Sequence, residues 1–188
     1  MLEELIRYDK ELFLYLNKLG SPAWDGFWLL ITNKISLVSL MLYAVLLYLA
    51  YRKFGPKKLL VLLVGIVLMI LITDQLANFF KYGVQRLRPC HDSDVNTSMR
   101  LVKDYCGGQF GYFSAHASNT MAVAIFFSVL LSSKFRYIGI FLVFWAFLVA
   151  YSRIYIGVHF PLDVLTGVGI GAIFGWLFAK LVIFALDR

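Results

Sequence analysis

Residues 59–80 read LLVLLVGIVLMILITDQLANFF, and this stretch decides which class of protein the chain belongs to. Its length is close to the roughly 20 residues that an α-helix needs to cross the hydrocarbon core of a bilayer. A single charged residue, Asp74, interrupts it. Its Leu, Ile and Val residues lack the period-two alternation that membrane barrel strands require. The stretch therefore predicts a transmembrane helix.

Four further apolar stretches occupy residues 35–51, 117–133, 137–152 and 164–186. Composition agrees with a membrane protein: 61% of residues are hydrophobic, 15% are charged and the mean hydropathy is +0.77. Soluble domains are roughly 45–50% apolar and about 25% charged, so this class is excluded. We predict one all-α domain over residues 1–188, an integral membrane bundle of five transmembrane helices, with six as the alternative.

The N-terminal region, residues 1–33, differs from these spans. Apolar residues from Leu2 to Leu19 follow helical spacing and charged residues take the other side, which predicts an amphipathic helix in the membrane interface. The Gly20-Ser21-Pro22 sequence then ends that helix. Residues 26–33 are too short to span a membrane and predict a re-entrant or interfacial turn.

The net charge of +7 orients the bundle. Basic residues fill two short loops, 52–58 and 134–136, so the positive-inside rule places both loops in the cytoplasm. The residues assigned to this side carry the whole net charge, with no aromatic-interleaved patch, which argues against nucleic acid as a partner. They are Arg52, Lys53, Lys57, Lys58, Lys134, Arg136, Lys180 and Arg188, opposed by Asp187.

The opposite face then holds the segment 81–116 and the turn 153–163. Lys81 and Arg88 are seven residues apart, so on a continuing helix they would project from one side, as two cations that bind a phosphate do. Pro89 places Arg88 near the end of that helix. The alternative is that both side chains extend to the membrane interface, as Lys and Arg commonly do at span ends.

Ser114 and His116 stand immediately before the third predicted span, with His116 in the first turn of its helix. Ser114 suits an N-cap, and the unpaired N–H groups of a helix start can bind an anion. An imidazole at that position can donate a proton to a leaving oxygen. The alternative for His116 is an interfacial hydrogen bond.

A third cluster follows the fourth span. Arg153 closes that span, and Pro161 suits the first position of the fifth helix. Asp163 lies four residues after His159, where a carboxylate can hold one ring nitrogen and leave the other free as a nucleophile. Three polar clusters therefore meet at one membrane face.

These residues resemble the three motifs of the type 2 phosphatidic acid phosphatase superfamily of membrane lipid phosphatases. The first motif matches Lys81, six residues and then Arg88-Pro89. The second matches Ser114 and His116, although Phe113 and Ala115 replace the usual Pro and Gly of Pro-Ser-Gly-His. The third matches Ser152-Arg153 with His159 and Asp163.

The resemblance implies a hydrolase that needs no cofactor and no metal. His159 would attack phosphorus to form a phosphohistidine, Asp163 would orient it, and His116 would protonate the departing oxygen. The phosphate would be held by Lys81, Arg88, Ser114 and Arg153. The site would face the periplasm from a bacterial inner membrane.

The expected partner is a membrane lipid with a phosphate or diphosphate headgroup, and undecaprenyl diphosphate is the favoured substrate. Phosphatidylglycerol phosphate and lipid A 1-phosphate are the alternatives, followed by a small soluble phosphate ester. A non-enzymatic phosphate-lipid binder or transporter is the alternative from another class. The sequence does not determine the oligomeric state.

Four further features of the sequence lead to expectations about the structure. Asp74 predicts a structural pairing inside the bundle, and Asn119 an extension of the site or an interhelical hydrogen bond. The small residues Gly167, Gly171, Gly175 and Ala179 predict close packing of the fifth helix. Cys90 and Cys106 are expected to form a disulfide, with free thiols or a zinc site that includes His91 as the alternatives.

Overall fold

A computed structural model describes residues 1–103 and 105–187, so Asp104 and Arg188, the latter assigned above to the cytoplasmic side, lie outside it. The described residues are almost entirely helical and contain only one isolated antiparallel bridge, between Leu87 and Phe110. Their α-helices are α1 (Leu2–Lys18), α2 (Pro22–Thr32), α3 (Leu37–Val84), α4 (Ala115–Leu131), α5 (Ile138–Tyr155) and α6 (Pro161–Leu186).

The predicted spans all correspond to apolar helix. Helix α3 contains two of them and bends at Gly55, whose φ of 77° suits glycine, with Pro56 following. The stretches Pro22–Val84, Ile138–Tyr155 and Pro161–Leu186 are long and apolar enough to cross a membrane, and α4 is a shorter apolar helix. The prediction of an all-α membrane bundle is confirmed.

The N-terminal region is more ordered than predicted. Residues 26–33 do not form an isolated turn, because most of them belong to α2. Helix α1 exposes apolar side chains such as Leu5 and Leu12, as an interfacial helix would. Its opposite face docks on the protein through Asp9, Phe13 and Asn17, which are all buried.

Helices α4 and α6 pack closely and in parallel. A Cβ built on Gly167 would lie 2.6 Å from the carbonyl oxygen of Ser114, and one on Gly171 would collide with that of Ser118. The same offset recurs at Gly175, one turn further along. The predicted small-residue stripe therefore packs within the bundle and fixes the register of the two helices that begin at the polar face.

The outer segment departs from its prediction. Helix α3 ends at Val84, because Gln85 takes a left-handed conformation with φ of 54°. Arg86 and Arg88 then exchange backbone hydrogen bonds with the chain around Phe110 rather than continuing the helix, with Gly111 N donating to Arg86 O at 2.8 Å. The placement of Lys81 and Arg88 on one helix was therefore wrong, and the loop predicted over 81–116 spans 85–114.

Candidate active site

The first and third polar clusters meet at Gly111. A Cβ built on this glycine would lie 3.1 Å from Arg88 Cγ, 3.1 Å from Asp163 Oδ2 and 3.6 Å from His159 Nδ1. Any side chain would therefore displace the groups that it touches. The backbone at Gly111 brings Arg88 of the outer loop against the His159 and Asp163 pair.

His159 lies in the turn between α5 and α6 and is 3% exposed. Its Nδ1 atom is 3.5 Å from Asp163 Oδ2, a distance of the kind that commonly shortens when substrate binds. Burial, followed by the charges of Arg153, Arg88 and Lys81, holds the pKa of His159 well below its ordinary 6.5. The imidazole is therefore neutral at physiological pH, as a nucleophile must be.

Asp163 is completely buried in the first turn of α6. Its Oδ2 accepts a 3.1 Å hydrogen bond from the backbone N–H of Phe160, and its Oδ1 accepts one of 2.8 Å from Arg86 Nη1. Arg86 also forms an ion pair with Asp9 of α1. Each oxygen of Asp163 therefore has its own donor.

Arg153 lies in the last turn of α5 and is 7% exposed. Its Nη1 donates a 2.6 Å hydrogen bond to Thr32 Oγ1 at the end of α2. A buried guanidinium needs such a partner because an unpaired buried donor is costly. Helix α2 thus helps to orient a cation of the site, a role that the sequence analysis did not find.

Arg88 is held by the loop that faces it. Its Nη1 donates to the carbonyl oxygen of Cys106 at 2.8 Å and its Nε to that of Phe110 at 3.2 Å. Burial lowers the pKa of Arg88, but a guanidinium stays protonated in proteins. Cys90 and Cys106 form a disulfide with Cα atoms 6.3 Å apart, which fixes the loop that carries one of these carbonyls.

The disulfide also bears on the zinc alternative. Cys90, His91 and Cys106 bring their ligand atoms within 4.8 Å of one another. Zinc binds thiolates, and here each sulfur is bonded to the other. The cluster therefore does not fit a zinc site.

Ser114 caps α4, since its Oγ accepts a 3.4 Å hydrogen bond from Ala117 N. Its own N–H donates to the backbone oxygen of Asp163 at 2.9 Å, which ties the start of α4 to that of α6. His116 follows in the first turn, partly buried and in electrostatic range of Arg153 and His159. The second cluster thus lies against the third.

Lys81 stands in the last turn of α3, in electrostatic range of Arg88 and Arg153. Two more lysines lie in electrostatic range of these residues. Lys34 interacts with Lys81 and His116, and Lys103 interacts with His116. Burial, followed by the charge of Arg153, lowers the pKa of Lys103. Neither lysine was predicted as a site residue, because both lie outside the three motifs.

An apolar cavity of about 340 Å³ lies between the two halves of α3 and helix α4. Its apolar lining includes Tyr43, Leu47, Leu63, Ile66, Ile70, Val123 and Phe127. Lys34 and Asn119 contribute polar groups to its wall. The cavity can take a hydrocarbon chain whose charged headgroup stays near Lys34.

Asp74 and Asn119 form a polar bridge between α3 and α4. Asn119 Nδ2 donates to Asp74 Oδ1 at 2.7 Å, and its Oδ1 accepts from Thr73 Oγ1 at 2.6 Å. This is the structural pairing predicted for Asp74 and the interhelical hydrogen bond predicted as one role of Asn119. The bridge connects the two helices that line the cavity.

Comparison with known proteins gives two relatives that match nearly the whole of this chain and about four-fifths of their own length. The chain is 38% identical to a Bacteroides thetaiotaomicron protein named lipid A 4'-phosphatase, over 95% of this chain and 78% of that protein. It is 39% identical to a Porphyromonas gingivalis protein of the same name, over 100% of this chain and 78% of that one.

Two solved structures are also similar to this chain. The crystal structure of Aquifex aeolicus LpxE matches with a TM-score of 0.65 and 29% identity, covering 90% of this chain and 93% of that one. The transmembrane PAP2 type phosphatidylglycerolphosphate phosphatase of Bacillus subtilis matches with a TM-score of 0.74, covering 98% of this chain and 89% of that one. At 20% identity this second match supports the fold alone. The sequence profile of the PAP2 superfamily matches residues 58–186, and the chain therefore belongs to the PAP2 superfamily.

Proposed function

We propose that this chain removes the 4'-phosphate from lipid A. The family and the relatives make it a membrane lipid phosphatase, a hydrolase embedded in the bilayer. The observation that carries the substrate is the 38–39% identity to two proteins named lipid A 4'-phosphatase over 95–100% of this chain. This identity favours lipid A over undecaprenyl diphosphate as the substrate. It also favours the 4'-phosphate of lipid A over the 1-phosphate that was expected from the sequence as an alternative.

The proposed chemistry has two steps. A ring nitrogen of His159, the one turned away from Asp163, forms a bond to phosphorus while the bond from phosphorus to the lipid oxygen breaks. His116 gives its proton to that oxygen. Water then attacks the phosphohistidine with His116 as base, which releases inorganic phosphate and restores both histidines.

Cations carry the electrostatic part of the proposal. Lys81, Arg88 and Arg153 lie close enough to His159 for their charges to lower its pKa, and three cations near the nucleophile would stabilise the oxygens of a transferring phosphoryl group. Ser114 and the first N–H groups of α4 add neutral donors. The cavity lined by Ile66 and Phe127 supports a substrate with hydrocarbon chains.

Phosphate release in detergent tests the proposal. Lipid A phosphorylated only at the 4' position, lipid A phosphorylated only at the 1 position, undecaprenyl diphosphate, phosphatidylglycerol phosphate and a soluble phosphate ester are compared, with His159→Ala as the inactive control. We expect release from the 4' substrate, with a higher kcat/KM than any other substrate gives. A higher value for any other substrate overturns the assignment, and full activity of His159→Ala overturns the nucleophile.

The site is further proposed to face the periplasm from the inner membrane of a bacterium. The basic residues at the bend of α3 (52–58) and in the loop 134–136 support that orientation, and the disulfide suits an oxidising compartment. A cysteine introduced as Thr97→Cys should react with a membrane-impermeant maleimide in intact spheroplasts, whereas Lys134→Cys should react only after lysis. The reverse labelling pattern would show that the site faces the cytoplasm and would overturn the proposed orientation.

A further inference from the structure

We propose that Asp9 and Arg86 are positioning residues for Asp163, so that helix α1 helps to set the geometry of the nucleophile. The inference rests on the proposed roles of His159 and Asp163 and adds two residues. Asp9 is outside the three motifs, and Arg86 lies between Lys81 and Arg88 of the first motif without being one of its matched residues. It assigns α1 a part in the reaction beyond lying in the interface.

A continuous chain of charged contacts connects α1 to the site. Asp9 is 4% exposed and forms an ion pair with Arg86 Nη2, while Arg86 Nη1 lies 2.8 Å from Asp163 Oδ1. The other oxygen of Asp163 is the one that faces His159 Nδ1. Arg86 thus holds the carboxylate from behind, and Asp9 holds Arg86.

Asp9 is also fixed to the helix that carries Asp163. Its Oδ1 accepts a 2.9 Å hydrogen bond from the backbone N–H of Leu162, the residue before Asp163. The Arg86 guanidinium lies 4.5 Å from the centre of the Phe160 ring, and that ring packs edge-on against Phe13 of α1 at 5.2 Å. Every neighbour of the Arg86 guanidinium named here belongs either to α1 or to residues 160–163.

Stability alone gives no reason for this arrangement. Burial raises the pKa of Asp9 above its ordinary value even though Arg86 lowers it, so the folded protein pays for keeping this carboxylate charged. Replacing a buried ion pair by apolar residues is often neutral or stabilising. These contacts instead supply orientation. With a donor on each oxygen, the Asp163 carboxylate cannot rotate freely away from His159.

A kinetic cycle tests the inference with Asp9→Asn, Arg86→Gln and the double variant. Asp9→Asn keeps an acceptor for Leu162 N and removes the charge. Lys10→Gln is the matched control, because Lys10 joins α1 to Asp92 and Asp94 by ion pairs that do not reach Asp163. Misplacing a reacting group by about 1 Å can cost about 100-fold in rate.

We expect Arg86→Gln to lower kcat by about 10- to 100-fold and Asp9→Asn by about tenfold, both with KM within about twofold of wild type. The double variant should match Arg86→Gln, since Asp9 acts through Arg86. Lys10→Gln should leave kcat unchanged. Effects that simply multiply in the double variant, or a change in KM alone, overturn the inference. Should Arg86→Gln not accumulate, Arg86→Lys replaces it and should lower kcat without removing the charge.

Imidazole ¹⁵N NMR gives a readout that needs no substrate. The chain has 3 histidines, so His159 can be assigned with a single His91→Gln variant and the His159→Ala control. We expect wild-type His159 to hold its proton on Nδ1, and both Arg86→Gln and Asp9→Asn to shift the tautomer population. Unchanged spectra overturn the positioning role. Absence of lipid A hydrolysis with shifted spectra overturns only the proposed function.

Discussion

Arg153 Nη1 donates a 2.6 Å hydrogen bond to Thr32 Oγ1, which joins the end of α5 to the end of α2. We predict that Thr32→Val raises KM about tenfold, because a hydrogen bond to a charged group is worth about 1.5–3 kcal/mol and its loss frees the guanidinium. Thr32→Ser keeps the hydroxyl and should retain the wild-type KM. Steady-state kinetics on the 4'-phosphorylated lipid measure both, and equal KM values for the two variants would contradict the prediction.

The low pKa of His159 makes stability depend on pH. Below pH 6.5 the unfolded chain protonates this imidazole and the folded protein does not, so the unfolded state binds more protons. Stability should fall as the pH drops below 6.5, by up to about 1.4 kcal/mol per pH unit from this residue. The thermal midpoint in detergent should therefore decrease less from pH 6.5 to 5 in His159→Gln than in wild type. Parallel curves would show that His159 is protonated in the folded protein.

The disulfide should affect substrate binding through Arg88. Removing it in a Cys90→Ser and Cys106→Ser double variant should destabilise the protein by about 3 kcal/mol. It should also raise KM several-fold, because the Cys106 carbonyl that accepts from Arg88 Nη1 is no longer held. Thermal midpoints and kinetics with and without reductant measure this on the wild type as well. A lower midpoint with an unchanged KM would separate the loop from phosphate binding.

Glycines on α6 provide a matched test of helix packing. Gly171→Ala should lower the thermal midpoint by several degrees, since a Cβ there meets the backbone of Ser118. Gly169 lies on another face of α6, where a built Cβ would have no heavy atom within 4 Å. Gly169→Ala should be neutral or stabilising by up to about 1 kcal/mol through helix propensity. Equal effects would indicate that α4 and α6 can separate at no cost.

Metal dependence is open to a direct test. The proposed scheme neutralises the phosphoryl oxygens with three cationic side chains, so activity should persist in excess chelator. Initial rates with EDTA, with EDTA plus excess Mg²⁺ and without additions should agree within twofold. A loss of activity that Mg²⁺ restores would require a different mechanism.

Much of the fold follows from the sequence because hydrophobic length and charge position are local properties. The five spans are readable in this way, and so is the N-cap at Ser114. The bend at Gly55 also leaves a Gly-Pro signal. The end of α3 was placed too late, since it depends on the backbone pairing of Arg86 and Arg88 with residues around 110, which no local pattern reports.

Only those site residues that belong to the three spaced motifs were predictable from the sequence. Asp9, Thr32 and Arg86 hold site residues from elements distant in sequence, so their partners emerge only from the folded chain. One signal was present: Asp9, Phe13 and Asn17 repeat every four residues, which is a helical face with two polar members. A polar stripe of this kind on an interfacial helix indicates docking on protein rather than contact with lipid.

The parallel register of α4 and α6 has an electrostatic consequence. Each helix start carries the equivalent of about half a positive charge, and here the two starts lie side by side, joined by Ser114 N and Asp163 O. The start of α6 is occupied by the carboxylates of Asp163 and Asp9. The first turn of α4 contains no acidic residue. The positive end of the α6 dipole is thus neutralised by the protein's own carboxylates, while that of α4 remains available to an incoming anion and comes from the backbone rather than from a side chain.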